Sequence, residues 1–325
     1  MERWLVLGGT AWLGREVARA AQEAGHDVTC LARGESGEVA DGVTWVRADR
    51  DERGAYAALD GAWDAVVDVT RQPGHARAAV RELGPRSAHW VLVSTGNVYA
   101  DLSRPLREDS LLRGPLSGDT ATPELYGEGK VACERVVETL PGHLVLRAGL
   151  LAGPGDPSDR FGYWPARFAL AGREDVVVPD LPDAWSQVLD ARDLAAFVVD
   201  AVRRGVVGTM NVAGASMPLT EALGRVAQAV GHTGRLVPVD VRTLAERDVQ
   251  PWSGERSLPL WLPDGFGGMT RMDTARADAA GLVRRGLEET ALDVLADERA
   301  RGLRRPRQAG LGRTDELALL RTLQP

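Results

Sequence analysis

Short apolar runs that alternate with helix-like segments constrain the fold of this chain most strongly. Such runs, each rich in valine or leucine, lie at residues 4–7, 28–31, 43–46, 65–69, 90–94 and 144–147. They are continuous rather than alternating, as expected for strands that are covered on both faces. Helix-like segments lie between them at 13–24, 74–83 and 124–140. The order predicts an α/β fold, a doubly wound parallel sheet with helices on both faces.

A glycine-containing loop follows the first run and opens the first helix. Gly8 permits a tight turn, and Gly14 permits close packing of the helix on the strand. Ala11, between them, is small enough for a pyrophosphate to approach, and the helix N-terminus adds amide donors. Glycines also mark ordinary turns, but a loop between a strand and a helix favours dinucleotide binding.

The end of the second strand indicates which dinucleotide is bound. An acid there usually holds the ribose 2′-hydroxyl of NAD, whereas an arginine suits a 2′-phosphate. Ala32 stands where the acid would be, and Arg33 follows it. The sequence therefore favours NADP(H) over NAD(H), the alternative being that Arg33 is an ordinary surface arginine. Asp49, after the third strand, is predicted to hold the adenine amino group or to cap a helix.

A tyrosine and a lysine at helical spacing form the predicted catalytic pair. Of the 39 lysines and arginines, only Lys130 is a lysine, which marks a place where arginine does not serve. Tyr126 precedes it by four residues, so a helix places both side chains on one face. A fixed ammonium favours the phenolate of a nearby tyrosine, which can then exchange a proton with a substrate oxygen. The alternative is an ordinary helix-surface pair.

Motifs in this order resemble the extended or atypical short-chain dehydrogenase/reductase family. They occur at residues 8–14, 93–99, 126–130, 147–154 and 188–195. The resemblance implies a Rossmann-type sheet, hydride transfer with a nicotinamide and a Thr-Tyr-Lys site. Alignment on Val98 and Tyr99 puts Thr95 at the catalytic position, with Ser94 supporting the loop or the nicotinamide amide. Lys130 is implied to bind the nicotinamide ribose as well.

Further contacts complete the predicted site. The residues expected to bind the cofactor are Gly8, Thr10, Ala11, Trp12, Leu13, Gly14, Arg33, Asp49, Arg50, Val69, Thr70, Lys130 and Gly149. Those expected to contact substrate are Asn97, Arg160, Tyr163, Trp164, Trp185 and Gln187. For the aromatic residues, a packed core is the alternative to a substrate wall. The histidines and cysteines show no metal-ligand spacing, so no metal is expected.

Departures from the family motifs narrow the expected activity. Gly96 and Asn97 replace the acidic pair that serves dehydratases, which disfavours elimination. Leu150 and Ser186 replace an asparagine and an arginine that hold the diphosphate of nucleotide sugars, although Arg160 or Arg167 can substitute. We therefore expect NADP-dependent reduction of a carbonyl, or oxidation of the alcohol, on a small organic substrate. The alternatives are a sugar or nucleotide-sugar epimerase and a non-catalytic dinucleotide sensor or RNA-associated relative.

The pattern of elements predicts two regions. Residues 1–150 form the dinucleotide-binding domain, and 151–325 mainly form a smaller substrate lobe, with 186–215 returning to the sheet. Within the lobe, the proline-rich stretches 153–185 and 251–268 are predicted to be irregular. The arginine-rich end of the chain, helical from residue 287, is predicted to be a solvated face.

Composition limits the partners. A net charge of −7 does not favour binding to nucleic acid. The sequence contains no run of 18 apolar residues, so no membrane span is expected. Cys30 and Cys133 are predicted to be buried packing residues rather than a disulfide. We expect a cytoplasmic enzyme whose partner is a small-molecule substrate, and we leave a homodimer open.

Overall fold

The computed structural model describes residues 1–323, and its strands build one large sheet and several small ones. In chain order the strands are β1 (Arg3–Leu7), β2 (Asp27–Ala32), β3 (Thr44–Arg47), β4 (Trp63–Asp68), β5 (Ser87–Thr95), β6 (His143–Ala148), β7 (Leu150–Ala152), β8 (Val176–Pro179), β9 (Trp185–Asp190), β10 (Gly208–Val212), β11 (Ser216–Pro218), β12 (Leu236–Val239), β13 (Gln250–Pro251) and β14 (Ser257–Leu258). Each predicted apolar run overlaps one of the first six strands.

Helices connect most of these strands. They are α1 (Trp12–Glu23), α2 (Pro73–Leu83), α3 (Tyr126–Val137), α4 (Tyr163–Ala171), α5 (Ala191–Arg203), α6 (Leu219–Ala229), α7 (Val241–Glu246), α8 (Ala275–Ala279), α9 (Leu287–Arg301) and α10 (Arg313–Thr322). A short 3-10 turn, Gly96–Val98, directly follows β5. Across residues 1–323, no helix combines the length and apolar character needed to cross a membrane.

The large sheet has seven parallel strands in the order β10-β6-β5-β4-β1-β2-β3. Its core is mainly apolar, with Leu5, Val66 and Leu92 fully buried. The strand order reverses at β1, which pairs with β2 on one side and β4 on the other. Ligands of such sheets bind beyond the carboxyl ends of the strands at this reversal. The predicted doubly wound Rossmann-type fold is confirmed.

The chain divides into two compact units. The first unit comprises Met1–Gly149, Ala191–Ala213 and Met272–Val283; the second comprises Leu150–Asp190, Gly214–Arg271 and the chain from Arg284 onward. The segment predicted to return to the sheet, 186–215, behaves differently in its two halves. Only β10 joins the seven-stranded sheet, whereas β9 belongs to the small sheet β11-β9-β7 of the second unit. The return of 272–283 to the first unit was not predicted.

The second unit is more regular than the prolines suggest. Helix α4 and strand β8 lie inside the stretch 153–185, so the prediction of an irregular segment there was wrong. Pro165 is the third residue of α4, and the first turn of a helix tolerates proline because its N–H groups have no intrahelical acceptor. Phe161 and Phe168 are fully buried in the core of this unit.

The prediction of a solvated, arginine-rich face from residue 287 onward was also wrong in part. Arg305 and Arg307 bind the carboxylates of Asp159 and Glu298, whose side chains are only 2% exposed. Arg307 Nη2 lies 2.7 Å from Glu298 Oε2. These arginines neutralise acids that would otherwise be buried without a counter-charge, which is costly. The partner Asp159 is more than 140 residues away in sequence, so no local pattern reveals it.

Candidate active site

A cleft opens at the carboxyl ends of β1 to β4, all within the first unit. Counted with its open mouth, it holds about 590 Å³ of empty space. Its lining is Leu7, Gly8, Thr10, Ala11, Leu31, Ala32, Arg33, Gly34, Glu35, Ser36, Ala48, Asp49, Arg50, Val69, Thr70 and His75. The cleft thus brings together many residues predicted to bind cofactor, at the point where the strand order reverses.

The glycine loop has the close backbone packing that a pyrophosphate site needs. Gly8 has a φ of 96°, which only glycine adopts readily. A side chain at Gly14 would collide with the carbonyl oxygen of Gly8, and one at Gly9 would collide with Cys30. Helix α1 begins directly after Ala11, so the N–H groups of its first turn point toward the loop. These features fit a dinucleotide.

Arg33 lies at the rim of the cleft, 47% exposed, between two acids. Its guanidinium nitrogens lie 2.9 Å from Glu35 Oε2 and 3.6 Å from Asp49 Oδ2. Asp49 therefore interacts with Arg33 rather than with a helix end, although it also accepts a hydrogen bond from the N–H of Asp51. Ala32 leaves no carboxylate on the strand end itself.

Arg50 builds the floor of the cleft. Its guanidinium donates to both carboxylate oxygens of Asp68 at 2.8 Å, and to the Tyr56 hydroxyl and the His75 carbonyl at 3.0 Å each. These bonds use four of its five N–H donors, so Arg50 ties together the elements around the cleft, and its predicted contact with the cofactor stays a prediction. Asp68 also accepts from the N–H of Thr70, and so shapes the cleft wall. Asp68 and His75 were missed by sequence reasoning.

Lys130 is buried beneath the cleft, 3% exposed, on helix α3. Its ammonium donates to the carbonyl oxygens of Thr70 at 2.7 Å and Val93 at 2.5 Å. These two acceptors tie it to the end of β4 and to β5. Tyr126, partly exposed, is the first residue of the same helix and lies one turn before Lys130. An ammonium has three donors, so one remains for a further partner.

The end of β5 separates two adjacent hydroxyl groups. Thr95 Oγ1 accepts hydrogen bonds from the Asn97 N–H and from Asn97 Nδ2, each at 3.3 Å. Ser94, on the opposite face of the strand, donates to Glu134 Oε1 at 2.5 Å. Glu134 also binds Arg147, at 2.8 Å, in a buried ion pair. Ser94 therefore supports this pair, and its predicted role at the loop or the nicotinamide amide was wrong.

The remaining predicted cofactor residues lie outside the cleft lining. They are Trp12, Leu13 and Gly14 at the start of α1, Lys130, and Gly149 after β6. Gly149 is in tight contact with other parts of the first unit, because a side chain there would lie 3.0 Å from Ala213 Cβ and 3.3 Å from Met272 Sδ.

The predicted substrate residues of the second unit fall into two groups. Tyr163 and Trp164 are fully buried in its core, and the Trp164 indole donates to the Pro259 carbonyl at 2.8 Å. These two residues therefore belong to the packed core, and their predicted contact with substrate was wrong. Gln187 is also buried, within β9.

Two other predicted substrate residues remain accessible. Trp185, at the start of β9, is 38% exposed. Arg160 stacks its guanidinium over the Trp252 ring at 4.5 Å, a cation–π contact that fixes its orientation. Trp252 itself has a φ of 70°, an unusual backbone conformation for a bulky residue.

The cysteines are poor nucleophiles. Both are free and buried, and burial raises the pKa of Cys30 to about 12 and that of Cys133 to about 11. They remain thiols at neutral pH. Among residues 1–323, the histidine, cysteine and acidic side chains form no group suited to a metal ion.

Curated relatives resemble this chain in sequence. It is 34% identical to a dTDP-4-dehydrorhamnose reductase of Streptomyces griseus over 169 residues, 48% of this chain and 52% of that protein. It is 30% identical to a 2′-dehydrokanamycin reductase of Streptomyces kanamyceticus over 262 residues, 75% of this chain and 71% of that protein. The first match thus spans about half the length of the relative. No protein-family profile matches the chain.

Solved structures resemble it in fold. The enzyme WbmH of Bordetella bronchiseptica, in complex with NAD+, superposes with a TM-score of 0.66 at 18% identity, over 92% of this chain and 99% of that one. At this identity the likeness concerns the fold alone.

Proposed function

We propose that this chain, which belongs to the NAD(P)-dependent short-chain dehydrogenases/reductases of the epimerase/dehydratase type, is an NADP-dependent ketone reductase. The proposed substrate is sugar-like and is not linked to a nucleotide. The reductase direction is supported by both curated relatives. The sensor alternative is not retained, because the chain is an enzyme of this family.

The buried ammonium of Lys130 is the observation that carries the proposal. Burying a cation is costly, and Lys130 is held by two carbonyl oxygens rather than by a carboxylate. Because no carboxylate neutralises it, the ammonium can stabilise negative charge on a neighbouring group, here the phenol of Tyr126 one helical turn away. A structural lysine in this position would be expected to pair with an acid.

Each residue has a distinct task in the proposed reduction. A bound nicotinamide supplies hydride to the carbonyl carbon. Thr95 donates a hydrogen bond to the carbonyl oxygen and so stabilises its growing negative charge. Tyr126 transfers its proton to that oxygen, and Lys130 stabilises the resulting phenolate. The third donor of Lys130 is left for the nicotinamide ribose.

The preference for NADP is proposed on the basis of Arg33. Its guanidinium lies at the rim of the cleft beside Ser36 and Gly34, and no acid occupies the end of β2. A 2′-phosphate would form charge-assisted hydrogen bonds with it. Glu35, which now pairs with Arg33, is largely exposed and can turn into solvent.

The proposed substrate is not attached to a nucleotide. Leu150 and Ser186, which replace the diphosphate-binding residues of the family, offer no positive charge. The relative that matches three quarters of this chain is named for a ketone of an aminoglycoside, kanamycin. A hydroxyl-rich ketone of this kind is the substrate class that we propose.

A nucleotide-linked ketosugar is the second candidate, because the 34% match is to a dTDP-sugar reductase. The test is to measure NADPH oxidation by the purified protein with 2′-dehydrokanamycin and, separately, with dTDP-4-dehydrorhamnose. We expect kcat/KM to be about tenfold or more higher for the free ketone, because a diphosphate that loses water without a charged partner carries an uncompensated desolvation cost. A preference for the dTDP-linked ketone would overturn the substrate assignment. Conversion of the corresponding alcohol of either ketone into its epimer, without net NADPH consumption, would overturn the reductase assignment.

A further inference from the structure

An arginine outside the predicted site joins the two elements that carry the catalytic residues. Arg113 Nε donates to the Asn97 carbonyl oxygen at 2.9 Å, and its Nη1 lies 3.1 Å from Glu128 Oε1. Asn97 belongs to the 3-10 turn after Thr95, and Glu128 to the first turn of α3 after Tyr126. One guanidinium thus spans from the threonine turn to the tyrosine helix.

The two elements are in direct backbone contact at this point. A side chain on Gly127 would collide with the Asn97 carbonyl oxygen and would lie 2.7 Å from Arg113 Cδ. The residue next to Tyr126 must therefore be glycine for the turn to pack here. Arg113 covers this contact and neutralises Glu128, which is partly buried.

Asn97 in turn determines where the Thr95 proton can go. A threonine hydroxyl has one proton and accepts at most two hydrogen bonds. Thr95 Oγ1 already accepts from the backbone N–H and the side-chain Nδ2 of Asn97. Its own proton is left for a third group, which makes the hydroxyl a donor rather than an acceptor.

We propose that Asn97 and Arg113 are positioning residues that hold the Thr95 hydroxyl as a donor to the substrate oxygen. This rests on the proposed function, in which Thr95 polarises the ketone. Asn97 orients the hydroxyl, and Arg113 fixes the Asn97 turn against the helix of Tyr126. Neither residue touches the reacting atoms in this account.

The fork of an arginine is required because the two acceptors lie in different directions. A lysine at position 113 can keep the ion pair with Glu128, but it cannot also reach the Asn97 carbonyl with a second, rigidly placed donor. Glu128→Gln is the reciprocal change, because an amide oxygen still accepts from Arg113 while the charge is lost. We therefore expect Arg113→Lys to lower kcat strongly and Glu128→Gln to lower it only slightly.

Steady-state kinetics with 2′-dehydrokanamycin and NADPH test this clamp, by which Arg113 holds the Asn97 turn against helix α3. We expect Arg113→Lys to lower kcat roughly tenfold to a hundredfold, the range that a displacement of about 1 Å produces, with the Kd for NADPH within about twofold of wild type. The matched control is Arg135→Lys, which alters an exposed ion pair with Glu138 at the end of α3, the helix that carries Glu128. Equal kcat values for Arg113→Lys and Arg135→Lys would overturn the inference.

The pH profile of Asn97→Asp tests the orientation of the hydroxyl. An ionised carboxylate accepts a hydrogen bond from the Thr95 hydroxyl, so this hydroxyl can no longer donate to the substrate oxygen. A protonated carboxyl group can again donate to Thr95 Oγ1. The kcat of this variant relative to wild type at the same pH should therefore rise as the pH falls toward about 4, near the pKa of a free aspartic acid. A ratio that is constant with pH would contradict the proposed role of Asn97.

Hydrogen exchange separates the failure of this inference from failure of the proposed function. If the wild type consumes no NADPH with this ketone, or if Tyr126→Phe remains active, the proposed function fails. Exchange at the Asn97 and Val98 amides can still be measured without substrate. Faster exchange in Arg113→Lys than in Arg135→Lys supports the clamp, and identical exchange overturns it.

Discussion

At the residue scale, Lys130 has a geometry that explains why an arginine-rich chain keeps a single lysine. Its ammonium fits between the carbonyl oxygens of Thr70 and Val93 in a buried space. A guanidinium is larger, planar and needs five acceptors, so it overfills this space and leaves donors unsatisfied. The lysine is required by the shape of its site as well as by its charge.

Lys130→Arg should therefore lose at least about a hundredfold in kcat despite conserving charge, because the charge moves away from Tyr126. The reverse exchange at an exposed position of the same helix, Arg135→Lys, is the control for an arginine–lysine exchange outside the site. NADPH oxidation with a saturating ketone measures both. Wild-type turnover by Lys130→Arg would show that only the charge matters.

Arg33→Ala should weaken NADPH binding more than NADH binding, by roughly tenfold, since the side chain is half exposed and screened by water. Fluorescence titration with each cofactor measures the two Kd values. Arg19→Ala is a suitable control, because Arg19 is similarly exposed and also pairs with two acids. Equal losses for NADPH and NADH would remove the case for NADP.

A local rule applies to Ser94 and Thr95, because adjacent residues of a strand face opposite sides. Their hydroxyl groups lie on opposite faces of β5, and the catalytic role of Thr95 stays a prediction. The position of Arg50 beside the cleft was predictable from sequence, but its buried partner Asp68, 18 residues away, was not. Arg113 gave no signal, because its two contacts depend on packing between elements distant in sequence.

At the element scale, the contact between β1 and α1 depends on Gly14. A methyl group there would collide with the Gly8 carbonyl oxygen, so Gly14→Ala should push the helix N-terminus away from the phosphate loop. We expect NADPH affinity to fall at least about tenfold, as for loss of one or more charge-assisted hydrogen bonds. Isothermal calorimetry measures the change.

Gly224→Ala provides the control for this prediction. Gly224 lies in α6, and a methyl group there meets no atom within 4 Å. Alanine should raise stability by about 0.5–1 kcal/mol, since glycine is a poor helix residue, and should leave cofactor affinity unchanged. Unchanged NADPH affinity in Gly14→Ala would contradict the close packing described for the loop.

Elements with continuous apolar runs were predictable, and those set by distant contacts were not. Strands β1, β4 and β6 follow from runs of valine and leucine that need no knowledge of their neighbours. Helix α4 was missed because it is buried on nearly all sides, which removes the polar face that reveals a helical period.

At the scale of the whole molecule, cofactor binding should raise thermal stability. A ligand that binds only the folded protein, at a concentration 100 times its Kd, contributes about 2.7 kcal/mol. For a unit of this size, that energy should raise Tm by roughly 5–10 °C. NADH at the same concentration should give a smaller rise, and Arg33→Ala should reduce the difference. Equal shifts for the two cofactors in the wild type would contradict the proposed preference.

The division into units was less predictable than the sheet. The change of texture near residue 150 marks the end of the first long segment of the first unit. The return of Met272–Val283 to that unit left no pattern in the sequence. It depends on contacts such as the pairing of Met272 with Leu106, which lie far apart along the chain.

The central claim is that Tyr126 is the proton donor of a ketone reductase. Its most direct test compares wild type and Tyr126→Phe for NADPH oxidation with 2′-dehydrokanamycin and for NADPH binding. The phenylalanine variant should bind NADPH with nearly wild-type affinity and lose at least about a thousandfold in kcat, a typical contribution of general acid catalysis. A variant that binds NADPH and still reduces the ketone at the wild-type rate would contradict the central claim.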